Sequence, residues 1–206
     1  MKETLKKDQT GQSNRRESKP EEAIAVFFSF SLVCAAVIML LVVQGTYSLP
    51  DILSFKKSPL EWALYTLIPL TGILLLGVIL TKRLSSEHID DANKNYQHLS
   101  LMKIVLFMFS AALFEELLFR GLIQNGLLLF LKKEWLAILA TALLFLAFHV
   151  QYYKKPLMLL NITVPALVFG WVYAETDNIL VPFFIHFLSN LLMTLFFKYN
   201  WIRLKE

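Results

Sequence analysis

Three short stretches carry the residues whose types and spacing could do chemistry. Ala112–Gly121 reads ALFEELLFRG, Phe145–His149 reads FLAFH, and His186–Asn190 reads HFLSN. Each lies in an otherwise apolar run, where an ionised side chain near mid-bilayer costs at least about 2.5–3.5 kcal/mol. Glu116 and Arg120 stand at i,i+4, so they share a helix face and can form an ion pair. Glu115 is rotated about 100° from Glu116 and is left without a local partner. Phe145 and His149 also stand at i,i+4, as do His186 and Asn190. Three apolar segments therefore each project polar groups from one stripe, as helices do when they build a site inside a bundle.

Taken singly, each group has a plain structural explanation. Glu116–Arg120 reads as a structural pair, His149 as an interfacial histidine and His186 as a donor between helices. Asn190 reads as interhelical glue, worth about 0.6–2 kcal/mol. An unpaired Glu, two His and an Asn on three segments are harder to account for by packing. A carboxylate and an imidazole can hold one water between them, with the carboxylate as general base. A second His and an Asn amide are suitable donors toward the oxyanion formed when water attacks a carbonyl. That set would hydrolyse a peptide bond without a covalent intermediate. The competing use is a metal site, since a Glu and two His would suit zinc with water in the fourth position. No Ser/His/Asp arrangement is evident, and the single cysteine, Cys34, sits among apolar neighbours as inert packing.

The elements that must position these groups follow from composition. Of 206 residues, 56% are hydrophobic and 17% charged, with 17 Phe. A soluble domain carries nearer a quarter charged residues. The apolar residues come in blocks long enough to cross a roughly 30 Å hydrocarbon core. Expected spans are Ile24–Val43, Trp62–Leu80, Leu101–Phe119, Trp135–His149, Leu157–Tyr173 and Ile179–Phe197. The expected fold is all-α, a polytopic transmembrane bundle of about six spans. The first apolar block is too long and too far from Met1 for a secretory signal, and reads as a retained anchor. Met1–Glu22 is almost devoid of apolar residues and reads as a disordered tail.

Lys and Arg number 15 in segments that would face the cytoplasm and 4 in those that would face outside, with Arg120 set apart. The positive-inside rule then places both termini in the cytoplasm. The net charge of +4 reflects this distribution and gives no reason to expect a nucleic-acid partner. In the long connection Thr81–Ser100, His88 and His98 read as solvated residues. Glu175 and Asp177 read as solvated residues of a short outer loop. Pro165, one turn after Asn161, is expected to bend its helix, and such a bend can open a cavity.

In chain order the three stretches spell EExxxR, FxxxH and HxxxN, each on an apolar span. This pattern resembles the CPBP (Abi) family of CAAX-protease and bacteriocin-processing intramembrane endopeptidases, over roughly residues 101–197. The resemblance implies a catalytic helical core at 101–197; outside it, two spans and a cytoplasmic loop (23–100) are expected before and a cytoplasmic tail (198–206) after. It implies that Glu115 activates water, that His149 holds that water with it, and that His186 and Asn190 form the oxyanion site. Glu116, Arg120 and Phe145 become orienting groups. Zinc, held by Glu115, His149 and His186, is the metalloprotease version of the same site, and the glutamate mechanism without a cofactor is favoured. The implied partner is a membrane protein or peptide substrate within the lipid bilayer of a bacterial cell. Peptide maturation, bacteriocin immunity and control of signalling proteins are the associated roles. Substrate, cleaved bond and oligomeric state are not encoded in these residues.

Two other functions compete with this reading. A non-enzymatic member of the same fold could bind and control a membrane partner, and intramembrane carboxylates and histidines also serve proton relays in transporters. Depth poses a separate question. At about 1.5 Å per residue, Glu115 lies about 21 Å from the Leu101 end, and His149 about 21 Å from the opposite surface. His186 would be only about 10 Å deep. Helix tilt, a re-entrant break at Gly121–Phe130 or shifted span boundaries would each bring them together.

Overall fold

A computed structural model describes residues 20–83, 96 and 98–202. Helix α1 (Pro20–Val43) opens with a proline, whose missing N–H is harmless in a first turn. Glu21 and Glu22 sit at its positive end. Pro20–Glu22 thus belong to a helix, while the rest of the expected tail, His88 and residues 203–206 lie outside the described residues. A loop containing a single 3-10 turn (Leu49–Asp51) leads to α2 (Pro59–Arg83). Next comes a continuous helical rod in three parts: α3 (Leu101–Glu116), a π-helical segment (Leu117–Gln124) and α4 (Asn125–Leu131). Helices α5 (Glu134–Ala147), α6 (Pro156–Thr176) and α7 (Leu180–Lys198) complete the bundle. No strand is present among the described residues.

The chain is an all-α membrane bundle. Helices α1, α2, α6 and α7 are each long and apolar enough to cross a bilayer. The rod from Leu101 to Leu131 is longer still, while α5 is a shorter apolar helix. Large apolar side chains such as Leu32, Leu67, Phe130 and Trp135 point outward, as expected where the solvent is hydrocarbon and the core needs no extra apolarity. Helix α3 packs between α1 and α7, α2 lies against α6 and α7, and α5 packs on α6 and the π segment.

The rod resolves the depth mismatch. The expected span stopped at Phe119, but the helix continues unbroken to Leu131, so Gly121–Phe130 is helical and not re-entrant. Counted back from Leu131, Glu115 lies about 24 Å in, and His149 lies about 22 Å in from the adjacent Glu134. The two therefore share a level. His149 falls just beyond the end of α5, in a turn that continues as a 3-10 element at Val150–Tyr152. An irregular turn at membrane depth is tolerated where it lines a cavity.

His186 lines the same cavity as Glu115 and His149, and the α6–α7 corner that precedes it is covered. Asp177 ends α6 in the left-handed region (φ 48°), and Asn178 beside it is fully buried. The loop before α2 closes over this corner. Asn178 Nδ2 donates to the Ser54 carbonyl (2.6 Å), Ser54 N to Asp177 O (2.8 Å) and Ile179 N to Ile52 O (2.9 Å). Asn178 Oδ1 accepts from Leu180 N at 2.9 Å, starting α7. Glu175 and Asp177 are exposed, as their sequence setting indicated.

Candidate active site

The π segment begins immediately after the two glutamates. Such segments widen a helix locally and recur at functional sites. Here Arg120 and Gln124, one turn apart, both reach α6. Arg120 Nη2 donates to Ala166 O (2.8 Å) and Gln124 Nε2 to Gly170 O (2.9 Å). Gly170 is needed for this approach, since a Cβ there would lie 3.0 Å from Ile138 and 3.1 Å from Gln124 Oε1. Gly121 plays the same part on the other side, where a Cβ would meet Ile38 at 2.5 Å. Small residues at close helix crossings are the usual means of packing in a membrane.

The ion pair read from spacing is present. Arg120 Nη1 donates to Glu116 Oε1 at 3.1 Å, and both side chains are fully buried. The same oxygen accepts from His186 Nδ1 at 2.8 Å. The guanidinium lies 5.4 Å from the Phe169 ring centroid and 5.9 Å from that of Phe145, within the range of cation–π attraction. Phe169 also stacks on the His186 imidazole at 4.9 Å. Glu116 thus fixes one nitrogen of His186 and leaves Nε2 directed at Glu115, whose Oε2 is 3.6 Å away. That distance exceeds a hydrogen bond, so neither group is committed to the other.

His149 is set from its own helix end. Its Nδ1 lies 2.7 Å from the Phe145 carbonyl. A carbonyl only accepts, so Nδ1 carries the proton and Nε2 presents its lone pair. The ring stacks between Phe145 (4.5 Å) and Tyr152 (6.2 Å). The i,i+4 relation of Phe145 and His149 therefore has two uses, one through the backbone and one through the ring.

Glu115, His149, His186 and Asn190 line one cavity of about 330 Å³. Asn161 and Pro165 line it too, so the bend expected in α6 does border an open space. The rest of the wall is largely apolar, including Phe107, Met108, Met158 and Met193. Lining residues Leu80, Thr81, Tyr96 and Phe197 place part of it toward the end of the bundle that holds the start of α1 and the end of α7. Glu115, with a side chain 23% exposed, faces this space, whereas Glu116 at 1% does not. Among the described residues, no three His, Cys, Asp or Glu side chains are drawn together into a group that could hold a metal ion. His98 is exposed, and Cys34 is buried in α1.

Sequence reasoning missed Phe169, the Ala166 carbonyl and Tyr152. Phe169 is one aromatic among many in an apolar helix, and a backbone carbonyl has no sequence signature. Gly170 and Gly121 were signs of close approach.

Together, the fold and the cluster define a polytopic integral membrane protein with a polar, histidine- and glutamate-lined interior site. Residues 97–192 match the family described as type II CAAX prenyl endopeptidase Rce1-like, and they hold all three motifs. The matched residues make up a little under half of the chain. The chain is also similar to the uncharacterized protein YpbD of Bacillus subtilis (strain 168), with 27% identity over 134 residues. That match covers 64% of this chain and 66% of the relative's length. No solved structure matches the chain.

Proposed function

We propose that this protein is an intramembrane endopeptidase that hydrolyses a peptide bond with water activated by Glu115. The observation that carries this reading is the asymmetry of the two glutamates. Glu116 is consumed by Arg120 and His186, while Glu115 faces the cavity 3.6 Å from His186 Nε2. Water sits between Glu115 and the lone pair of His149 Nε2. Its oxygen attacks the carbonyl carbon as Glu115 takes its proton, and the same proton then passes to the departing amine. His186, held by Glu116 through Nδ1, sets Nε2 beside the Asn190 amide to face the oxyanion.

The lysine and arginine distribution supports cytoplasmic termini, and hence a cavity opening toward the cytoplasmic side of a bacterial cell membrane crossed several times. Its substrate is a membrane protein or peptide. Peptide maturation, bacteriocin immunity and signalling control all fit such a substrate. The test compares membrane proteomes of cells expressing wild type or Glu115→Gln. Peptides cleaved only by wild type are expected, and their absence would overturn the peptidase reading. Cleavage by purified protein should survive a zinc chelator; its loss, restored by zinc, would reinstate the metal-dependent mechanism.

A further inference from the structure

One polar residue on the wall of the large cavity takes no part in the proposed hydrolysis. Asn161 stands in the second turn of α6, lines the cavity and is half-buried. Other polar side chains of α6 are settled within their own helix. Thr163 donates its hydroxyl to Leu159 O at 2.7 Å, and Thr176 to Val172 O at 2.7 Å. Among the described residues, none hydrogen-bonds the Asn161 carboxamide. Water entering the mouth can solvate such a group, so its exposure alone would define no site.

Pro165 is the independent observation. It lies inside α6, one turn after Asn161, and also lines the cavity. A proline has no N–H to donate to the carbonyl four residues earlier. The Asn161 carbonyl is thereby left without its helical donor, between two residues that both face the open space. Residue 161 thus offers a donor in Nδ2 and acceptors in Oδ1 and its backbone oxygen, on a wall that is otherwise mostly apolar. That is the complement of a peptide main chain, in which every residue other than proline carries one N–H and one C=O.

The same face of α6 leads to the reacting groups. Ala166 O accepts from Arg120 Nη2, and Phe169 stacks on His186 at 4.9 Å. The eight residues from Asn161 to Phe169 span about 12 Å along the helix. An extended chain rises about 3.3 Å per residue, so about three to four substrate residues cover that distance. We propose that Asn161, with the carbonyl that Pro165 leaves free, grips the main chain of an extended substrate about three to four residues from the scissile bond, on the side of the cavity mouth. The ligand class is an uncharged, apolar peptide segment. Met158 and Met193 on the cavity wall adapt to apolar side chains of different shape. None of the described lining residues is a Lys or Arg that would pair with an acidic side chain. The proposal rests on the peptidase reading only for its choice of a peptide as ligand.

The test uses full-length protein in detergent and end-blocked, dansyl-labelled peptides of alternating Ala and Leu, from two to eight residues long. Binding is followed by fluorescence anisotropy in a Glu115→Gln background, where peptide is not consumed, and thermal unfolding shows which variants are folded. Affinity should rise with length up to peptides that reach Asn161. Asn161→Leu should cut that rise by at least about tenfold. Pro165→Ala, which returns a donor to the Asn161 carbonyl, should cut it by about threefold. An unchanged rise in either folded variant, or no rise with length in the parent protein, would overturn the proposal. Cleavage of the same peptides by protein with Glu115 intact is scored separately. A rise that depends on Asn161 without any cleavage would leave the grip standing and count against the peptidase reading instead.

Discussion

The two halves of the polar cluster differ in how completely they are engaged. In the closed half, Glu116 Oε1 accepts from both Arg120 and His186, and Arg120 also reaches Ala166 O while lying over two aromatic rings. Only Glu116 Oε2 and Arg120 Nε lack partners there. In the open half, Glu115, His149 Nε2 and Asn190 face a cavity, and the shortest approach between Glu115 and His186 is 3.6 Å. Two adjacent glutamates thus divide the labour. The buried one is held by Arg120 and His186, and the accessible one faces the cavity, as the proposed mechanism requires. A buried pair contributes little net stability by existing, but removing one partner strands the other.

The largest expected effect separates these roles. Glu115→Gln should lower cleavage by about 10²–10⁴-fold, the range for loss of a general base, with Tm within a degree or two of wild type. Cleavage and thermal unfolding measured on one preparation decide it. A large fall in Tm with activity retained would reverse the roles of the two glutamates. Arg120→Ala should do the opposite in kind, destabilising by about 3–5 kcal/mol because Glu116 remains buried and charged. Denaturation in mixed detergent measures this, and wild-type stability would show that His186 alone satisfies Glu116.

Glu116→Gln should lie between them. The amide oxygen can still accept from His186 Nδ1, but the charge opposite Arg120 is gone. A loss of about 1.5–3 kcal/mol is expected, the worth of hydrogen bonds to charged groups. Activity should fall less than in Glu115→Gln, with the loss in kcat. An equal loss in the two variants would erase the distinction between holding and reacting.

Much of this division was legible in the sequence, and the reason is dielectric. Charges in an apolar run must have partners or a function, so Glu116–Arg120 could be paired by spacing and Glu115 singled out. The i,i+4 relation of Phe145 and His149 predicted their contact without revealing that a backbone carbonyl fixes the ring. What lay hidden was long-range or regional. The continuation of the rod through Leu117–Gln124 could not be told from a break, because Arg120, Gly121 and Gln124 interrupt the apolar run, and the expected span boundary fell at Phe119. The covered α6–α7 corner depends on Asn178 meeting Ser54 across 124 residues. Phe169 could not be told from its aromatic neighbours until His186 and Arg120 were placed against it.

The smallest effect should come from a carboxylate outside the membrane core. Asp177 is exposed, yet partial burial and the nearby Asp51 raise its pKa, with Lys56 and Lys57 opposing. A raised carboxylate favours the folded state while protonated, so its contribution is complete below the unfolded-state pKa and is lost as pH rises through the folded value. Asn can occupy the left-handed position at φ 48° that Asp177 holds. Asp177→Asn should therefore match wild type near pH 3 and unfold at a slightly higher temperature near pH 7. Screening by solvent keeps this gain well below the change in Arg120→Ala. A lower Tm at neutral pH would instead mean that Lys56 and Lys57 dominate, making Asp177 a held charge like Glu116, despite its exposure.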